Sequence, residues 1–187
     1  IEIGSITPEP QPGNPKPRCF RLTKDKAIIN RFGINNNGVK FTVEYLKKHH
    51  PKCVIGASLS KCTKSSNEDA PKDLEKSFAI LYDFVDYFAL NVSCPNVKNL
   101  CQLQDIGFLS EIIDRLLTLR RYYDDYRPIL LKVSPDIPES QLDEIIDLVL
   151  DSGWVGVIAT NSTQTGEGLM SSKEEEEAIG NGGLSGD

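Results

Sequence analysis

An apolar run between positions 86 and 96, DYFALNVSCPN, ends abruptly in polar residues. Asn91, Ser93, Cys94 and Asn96 supply two amides, a hydroxyl and a thiol. Amides both donate and accept hydrogen bonds, so they suit a planar ligand with alternating C=O and N–H edges, such as a pyrimidine ring. A thiolate can remove a proton in a general-base step. The pattern predicts the floor of an active site, with Cys94 as the candidate base.

Three further apolar runs end in polar side chains. The runs are CVIGASLS (53–60), PILLKV (128–133) and VGVIA (155–159), and the polar residues at or just after their ends are Ser58, Ser60, Lys61, Lys132, Asp136, Thr160, Asn161 and Ser162. Lys132 interrupts its run, and burying an unpaired ammonium is costly. We therefore expect Lys132 to face negative charge that develops on a ligand, such as a reduced flavin ring or an enolate.

Regular elements must bring these side chains together. Apolar runs predict strands over 1–5, 53–60, 87–92, 128–133 and 155–159, and helical spacing predicts helices over 39–48, 69–85, 108–122 and 138–150. Alternating strands and helices predict an α/β fold with a parallel sheet and right-handed crossovers. Residues 6–35 are rich in Pro and Gly, so we expect an irregular excursion there, or a hairpin.

Two α/β architectures fit this order, an open doubly wound sheet and a (β/α)8 TIM barrel. A dinucleotide-binding open sheet should carry GxGxxG after its first strand, but the nearest text, GNGGLSG at 180–186, follows a charged run. In a barrel all strand ends converge on one mouth, whereas an open sheet brings them together only near its switch point. The polar strand ends favour the barrel, and so few strands predict that the chain covers only part of it.

Composition excludes several classes of function. The net charge is -6 and no long Lys/Arg block is present, which argues against nucleic-acid binding. Five cysteines without a CxxC pair argue against a disulfide framework and a zinc site, and favour a reducing compartment. No apolar run approaches the roughly 20 residues that span a bilayer. Because the chain begins at Ile1, we expect an internal piece of a longer protein, with any targeting or membrane segment outside it.

Six motifs in order resemble the dihydroorotate dehydrogenases, which are FMN-dependent (β/α)8 enzymes of pyrimidine synthesis. The motifs are EIGSITPEPQPGNPKPRCFRL (2–22), IINRFGINNNG (28–38), DYFALNVSCPN (86–96), ILLKVSPD (129–136), GVIATNST (156–163) and GGLSG (182–186). The resemblance covers nearly the whole chain. It implies that residues 1–187 form part of an FMN-binding barrel domain with the excursion at 6–35, and that dihydroorotate is oxidised to orotate.

The resemblance also implies a role for each motif residue. Cys94 is expected to take a proton from C5 of dihydroorotate while a hydride passes from C6 to flavin N5. The residues expected at the substrate are Asn30, Gly33, Ile34, Asn91, Asn96, Asn161 and Ser162, and those expected at FMN are Gly4, Ser5, Ser58, Asn91, Lys132, Thr160, Ser185 and Gly186. Asparagine is frequent in the family at the position of Ser58.

The motif TPEPQPGNPKPRCFRL is similar to that of the quinone-reducing, membrane-associated class, so a quinone is the expected electron acceptor. That class usually has serine where Cys94 stands, whereas cysteine is typical of the soluble class. Peripheral membrane association is expected through segments outside this chain, on the cytoplasmic side of the inner membrane in a bacterium or at the mitochondrial inner membrane in a eukaryote. The alternatives are a soluble-class enzyme using fumarate or NAD, a dihydropyrimidine dehydrogenase, and a non-catalytic barrel fragment.

Overall fold

The computed structural model describes residues 1–186, apart from the side chains of residues 175 and 176. The strands are β1 (Glu2–Ile6), β2 (Cys19–Leu22), β3 (Ala27–Asn30), β4 (Gly56–Leu59), β5 (Tyr87–Asn91), β6 (Ile129–Val133), β7 (Gly156–Ala159) and β8 (Gly183–Ser185). The α-helices are α1 (Gly38–His49), α2 (Ala70–Leu81), α3 (Ile106–Arg120), α4 (Glu139–Ser152) and α5 (Lys173–Ile179). Two short 3₁₀ helices cover Tyr82–Phe84 and Leu100–Gln104.

The main sheet has five strands in the order β1-β4-β5-β6-β7. All four pairings are parallel. Helices α2, α3 and α4 connect successive strands of this sheet. Parallel pairing sends the carboxyl ends of all five strands to one edge, and the register sets Asn91 directly beside Lys132. The sheet therefore gathers the polar strand ends that the sequence singles out.

The core lies between the sheet and its helices. Strands β4 and β5 are buried along nearly their whole length, as expected for central strands of a parallel sheet. Phe78 of α2 is fully buried, with its ring 4.4 Å from that of Phe88 and 5.2 Å from that of Tyr82. Burying such a ring contributes about 1.5–3 kcal/mol. This packing makes the strands a rigid base for the loops at their carboxyl ends.

Helix α3 shows how local sequence fixes the element boundaries. The side chain of Asp105 accepts a hydrogen bond from the Gly107 N–H at 2.9 Å, which caps the helix start. The buried face then repeats at helical spacing through Leu109, Ile112, Ile113 and Leu116. The predicted helix over 108–122 is therefore present, but it begins two residues earlier, directly after the cap, and ends at Arg120.

The Pro/Gly-rich excursion is partly regular. Strands β2 and β3 form an antiparallel hairpin, and β3 also pairs with β8 from the far end of the chain. The hairpin alternative is thus the one that the structure contains. The acidic segment 171–181, for which no regular structure was predicted, contains helix α5. Arg31 holds the end of this segment, since its Nη1 donates to the Ile179 carbonyl at 2.5 Å and to the Asn181 carbonyl at 3.0 Å.

In the part of the chain that the structure describes, none of the helices is both long enough and apolar enough to cross a membrane.

Candidate active site

A hydrogen-bonded network joins the carboxyl ends of three neighbouring strands. The hydroxyl oxygens of Ser5 in β1 and Ser58 in β4 lie 2.8 Å apart. Asn91, at the end of β5, donates from Nδ2 to Ser5 Oγ at 2.8 Å and is only 8% exposed. These contacts point the amide nitrogen of Asn91 towards β1, so its Oδ1 faces the opposite side of the mouth.

The network continues to the ends of β6 and β7. Asn161 donates from Nδ2 to Asn91 Oδ1 and to Ser93 Oγ, both at 3.0 Å. Ser93 is fully buried, and its hydroxyl donates to the Lys132 carbonyl at 2.7 Å. Asn161 Oδ1 accepts from the Ser162 N–H at 2.9 Å. One chain of hydrogen bonds therefore orients the amides, and such networks hold their groups in a single arrangement.

A second cluster connects the excursion to the mouth. Asn96 donates from Nδ2 to Asn30 Oδ1 at 3.2 Å, and Asn30 donates from Nδ2 to the Gly183 carbonyl at 3.2 Å. There is no room for a side chain at Gly183, because a Cβ there would lie 2.1 Å from Ser162 Oγ. Asn30 and Asn96 thus face each other across the gap between the hairpin and the β5 loop.

Cys94 lies between the two clusters, half-buried in the loop after β5. Burial raises the pKa of its thiol, and this effect is partly offset by the Asn96 backbone N–H and by the positive charge of Lys132. The thiol of Cys101 donates to the Ser93 carbonyl at 3.5 Å beside this loop. Cys94 therefore rests mainly as a thiol at neutral pH, with a cation near enough to favour its thiolate.

An open cavity of about 860 Å³ adjoins the mouth. Seven of the predicted site residues line it, namely Asn30, Lys132, Thr160, Asn161, Ser162, Ser185 and Gly186. Lys132 is half-buried, and no carboxylate of the described residues lies within ion-pair distance of its Nζ. The cavity is within the size range of small-molecule sites. Its wall offers a cation, hydroxyls and amides to a planar polar ligand.

Other predicted residues lie outside this wall. Ser5, Ser58 and Asn91 belong to the network at the strand ends, and Gly4 pairs with Ser58 across β1 and β4. Gly4 has φ +120°, and a Cβ on it would meet the Ser58 carbonyl oxygen at 2.5 Å. Cys94 is also absent from the wall of the 860 Å³ cavity. The structure thus brings the predicted residues to one mouth but distributes them over a cavity, a network and a loop.

The backbone of Gly33 and Ile34 is left-handed at the mouth, a conformation that is uncommon for a residue such as Ile34. Both residues have positive φ, 71° and 56°. Gln11 donates from Nε2 to their carbonyl oxygens, at 3.3 Å for Gly33 and 2.8 Å for Ile34. These hydrogen bonds fix the direction of the two carbonyl groups, and the N–H groups of the pair are further donors for a ligand.

Sequence reasoning missed three residues that hold the loops of the site. Gln11 and Asn14 lie in the Pro-rich excursion and contact the loops after β3 and β5. Asp136 was noted at a strand end without a role, and it accepts from Thr163 Oγ1 at 2.5 Å and from the Gln164 N–H at 2.8 Å. The one available signal was a polar side chain within a turn-rich segment, which predicts local hydrogen bonds but not their distant partners.

Parallel strands joined by helices, with their carboxyl ends in one network of amides and hydroxyls, are the arrangement of a segment of a (β/α)8 barrel. The chain belongs to the dihydroorotate dehydrogenase family, because the model of that family matches residues 1–187. This match confirms the resemblance found in the motifs.

Individual relatives agree with the family match. The chain is 46% identical over 186 residues to a "Dihydroorotate dehydrogenase (quinone)" of Christiangramia forsetii, covering 100% of this chain and 53% of that protein. It is 40% identical over 190 residues to a protein of the same name from Coxiella burnetii, covering 100% of this chain and 54% of that protein. The chain thus spans about half the length of the curated relatives it matches.

Solved structures confirm the fold. A crystal structure of DHODH in complex with ferulenol from Eimeria tenella superposes with a TM-score of 0.89 at 33% identity, covering 100% of this chain and 55% of that chain. The ligand-free type from the same organism gives the same TM-score and identity, with 57% of that chain covered. The predicted partial (β/α)8 barrel is therefore correct.

Proposed function

We propose that the full-length protein oxidises (S)-dihydroorotate to orotate with FMN as cofactor and a quinone as electron acceptor, in the synthesis of pyrimidines. The observation that carries the proposal is the single hydrogen-bonded network from Ser58 through Asn91 and Asn161 to the Lys132 carbonyl, at the mouth that also holds Cys94. The names of the relatives, which include the quinone, support the choice of acceptor.

The residues at the mouth suit the substrate. Orotate is a planar ring with carbonyl and N–H edges. The amides of Asn30, Asn91 and Asn96 each retain one N–H donor, whereas Asn161 donates both of its N–H groups within the network and offers its oxygen as an acceptor. The network fixes which edge of Asn91 and Asn161 faces the mouth before a ligand arrives. Ser162 and the N–H groups of Gly33 and Ile34 complete the proposed set. A site held in one orientation loses less free energy when it binds.

The donor set also fits a flavin. Lys132, Thr160, Ser185 and Gly186 line the open cavity, and Gly4, Ser5, Ser58 and Asn91 lie at the adjoining strand ends. These residues would hold FMN, which supplies a hydride acceptor when it is bound. Lys132 forms no ion pair with a carboxylate of the described residues, so its ammonium is available to negative charge on the flavin ring.

Cys94 is the proposed base that takes the C5 proton. Its pKa is raised by burial, so the reactive thiolate is scarce at neutral pH. The charge of Lys132 and the Asn96 N–H both favour the thiolate. Hydrogen bonds from the network would hold the substrate ring so that C5 faces the sulfur. Such orientation of the reacting atoms lowers the barrier to proton transfer.

Cys94 also favours a second candidate acceptor. Cysteine at this position is typical of the soluble class, which uses fumarate or NAD, whereas the Pro-rich motif favours the quinone class. In the quinone case we propose peripheral membrane association through segments outside this chain, on the cytoplasmic side of the inner membrane in a bacterium or at the mitochondrial inner membrane in a eukaryote.

Anaerobic addition of dihydroorotate to the purified full-length protein tests the proposal. We expect a flavin absorption band that bleaches with dihydroorotate and not with dihydrouracil, and that returns on addition of a quinone analogue faster than with fumarate or NAD. A colourless protein would indicate a non-catalytic barrel, and bleaching by dihydrouracil would indicate a dihydropyrimidine dehydrogenase. Either result rejects the proposal.

Variants of two cysteines test the assigned base. Cys94→Ala should lower the rate of flavin reduction by about 100-fold or more, the order expected for loss of a general base. Its FMN content should be unchanged. Cys53→Ala is the matched control, because Cys53 is an exposed thiol before β4 and outside the mouth. Equal rates in the two variants would remove Cys94 from the base role.

A further inference from the structure

The Pro-rich segment 8–18, called the strap below, lies along the loop that follows β3. Gln11 and Asn36 exchange two backbone hydrogen bonds at 2.9 and 3.0 Å, and the Asn14 N–H donates to the Phe32 carbonyl at 2.9 Å. The strap therefore runs beside residues 30–34, the proposed substrate loop. The proposed reaction assigns it no role.

Asn14 is the strap residue that touches two parts of the mouth. A Cβ on Gly33 would lie 2.6–2.8 Å from the amide atoms of Asn14, so this amide packs directly on the substrate loop. The same amide donates from Nδ2 to the Asn96 carbonyl at 3.0 Å, in the loop that carries Cys94.

The backbone of Asn14 is itself held in place. Arg18 donates from Nη1 to the Asn14 carbonyl at 3.0 Å and to the Pro12 carbonyl at 2.8 Å. Gly13 makes the close approach possible, because a Cβ there would lie 2.2 Å from the Phe32 carbonyl oxygen. These contacts hold Asn14 in one position, so its amide has little freedom to follow either loop if that loop moves.

We propose that Asn14 is a positioning residue that sets the distance between the base loop, residues 94–96, and the substrate loop. This inference rests on the proposed function. The base loop contains Pro95, which lacks an N–H, so it has few backbone donors with which to fix itself. Among the described residues, the Asn96 to Asn30 side-chain bond at 3.2 Å also joins the two loops. Asn14 therefore links the two loops without using a side chain that is proposed to bind the substrate.

Two substitutions separate this tie from the general stability of the strap. Asn14→Asp keeps the shape of the side chain but turns a carboxylate oxygen towards the Asn96 carbonyl, so attraction becomes repulsion. Asn14→Ala removes the contact without repulsion. Asn35→Asp is the control, because Asn35 is exposed and beside the same loop, and the change adds the same charge.

The measurements use the full-length FMN-bound protein. A misplacement of about 1 Å at a reacting group costs up to about 100-fold in rate, so we expect Asn14→Asp to slow flavin reduction at saturating dihydroorotate by about 10- to 100-fold. Asn14→Ala should slow it less. The C5-deuterium isotope effect should rise in both, since proton removal becomes slower, while FMN content and melting temperature stay at the value of the control. Hydrogen exchange of amides 93–99 should become faster.

The outcomes are distinct. Flavin reduction by Asn14→Asp within twofold of the control, or slower reduction with unchanged isotope effect and unchanged exchange of 93–99, would overturn the positioning role. Failure of dihydroorotate to reduce the unsubstituted protein would instead reject the proposed function. Hydrogen exchange would then still report whether Asn14 restrains the base loop.

Discussion

Two fully buried serines allow a measurement of how much the hydrogen-bonded network at the mouth contributes to the free energy of unfolding. Ser93 and Ser77 both have no exposed surface. The Ser93 hydroxyl donates to the Lys132 carbonyl at 2.7 Å and accepts from Asn161 Nδ2 at 3.0 Å. The Ser77 hydroxyl, on α2, has no hydrogen-bond partner among the described residues. The substitution Ser→Ala removes the same atom in each case.

The two changes should differ in sign. Ser93→Ala removes two hydrogen bonds, and each costs about 0.5–1.5 kcal/mol, so it should destabilise by about 1–3 kcal/mol. Ser77→Ala removes a buried hydroxyl that has no partner and places a better helix former in α2. We therefore expect it to be neutral or to stabilise by about 1 kcal/mol.

Urea denaturation of the full-length protein measures the free energy of unfolding of both variants. The experiment is repeated at two FMN concentrations, because a change in FMN affinity would make the difference between variants depend on that concentration. Ser77→Ala serves as the matched control for loss of a buried hydroxyl. Equal unfolding free energies for the two variants would refute the view that the network stabilises the mouth.

Three further predictions concern the base, the sheet and the core. Because burial raises the pKa of Cys94, flavin reduction should increase about tenfold per pH unit below that pKa, and Lys132→Met should move this pH limb to higher pH, since the lysine charge lowers the pKa. A limb that stays in place would contradict the coupling. A Cβ on Gly56 would lie 2.0 Å from the Tyr87 ring, so Gly56→Ala should destabilise by about 1–3 kcal/mol, and added Tyr87→Ala should recover part of this in urea denaturation. If the double variant were as unstable as Gly56→Ala alone or less stable, a clash with the Tyr87 ring would be excluded as the cause. Phe78→Ala should cost about 3–5 kcal/mol in the same assay, and a cost below 1 kcal/mol would show that the core around it is loosely packed.

The main sheet was predictable because its strands carry a local signal. Strand β5 was expected at 87–92 and lies at Tyr87–Asn91, since an apolar run bounded by polar residues marks both ends. Helix boundaries were less accurate where periodicity continued past a change of backbone. The apolar spacing over 69–85 continues through Tyr82–Phe84, but those residues form a 3₁₀ helix. Side-chain spacing reports the buried face and not the hydrogen-bond pattern.

The parts that were not predicted depend on distant partners. The hairpin of β2 and β3 was one of two alternatives for the Pro-rich region, but its completion by β8 was not predicted, because no local pattern reveals that pairing. Helix α5 had a local signal, a run of glutamates with high helix propensity, but no helix was predicted there. The candidate site was predictable by residue type, but the tie of Asn14 to Asn96 spans 82 positions.

The pairing of β3 with β8 has a consequence for the order in which the molecule assembles. Asn30 and Gly183 bond to each other although they are 153 positions apart. At about 5–20 residues per second, a ribosome needs roughly 8–30 s to make the intervening chain. Until then the early hairpin has no partner strand on that side. The nascent polypeptide can therefore build its central strands in order, while Asn30 reaches its final place only after translation has passed residue 185.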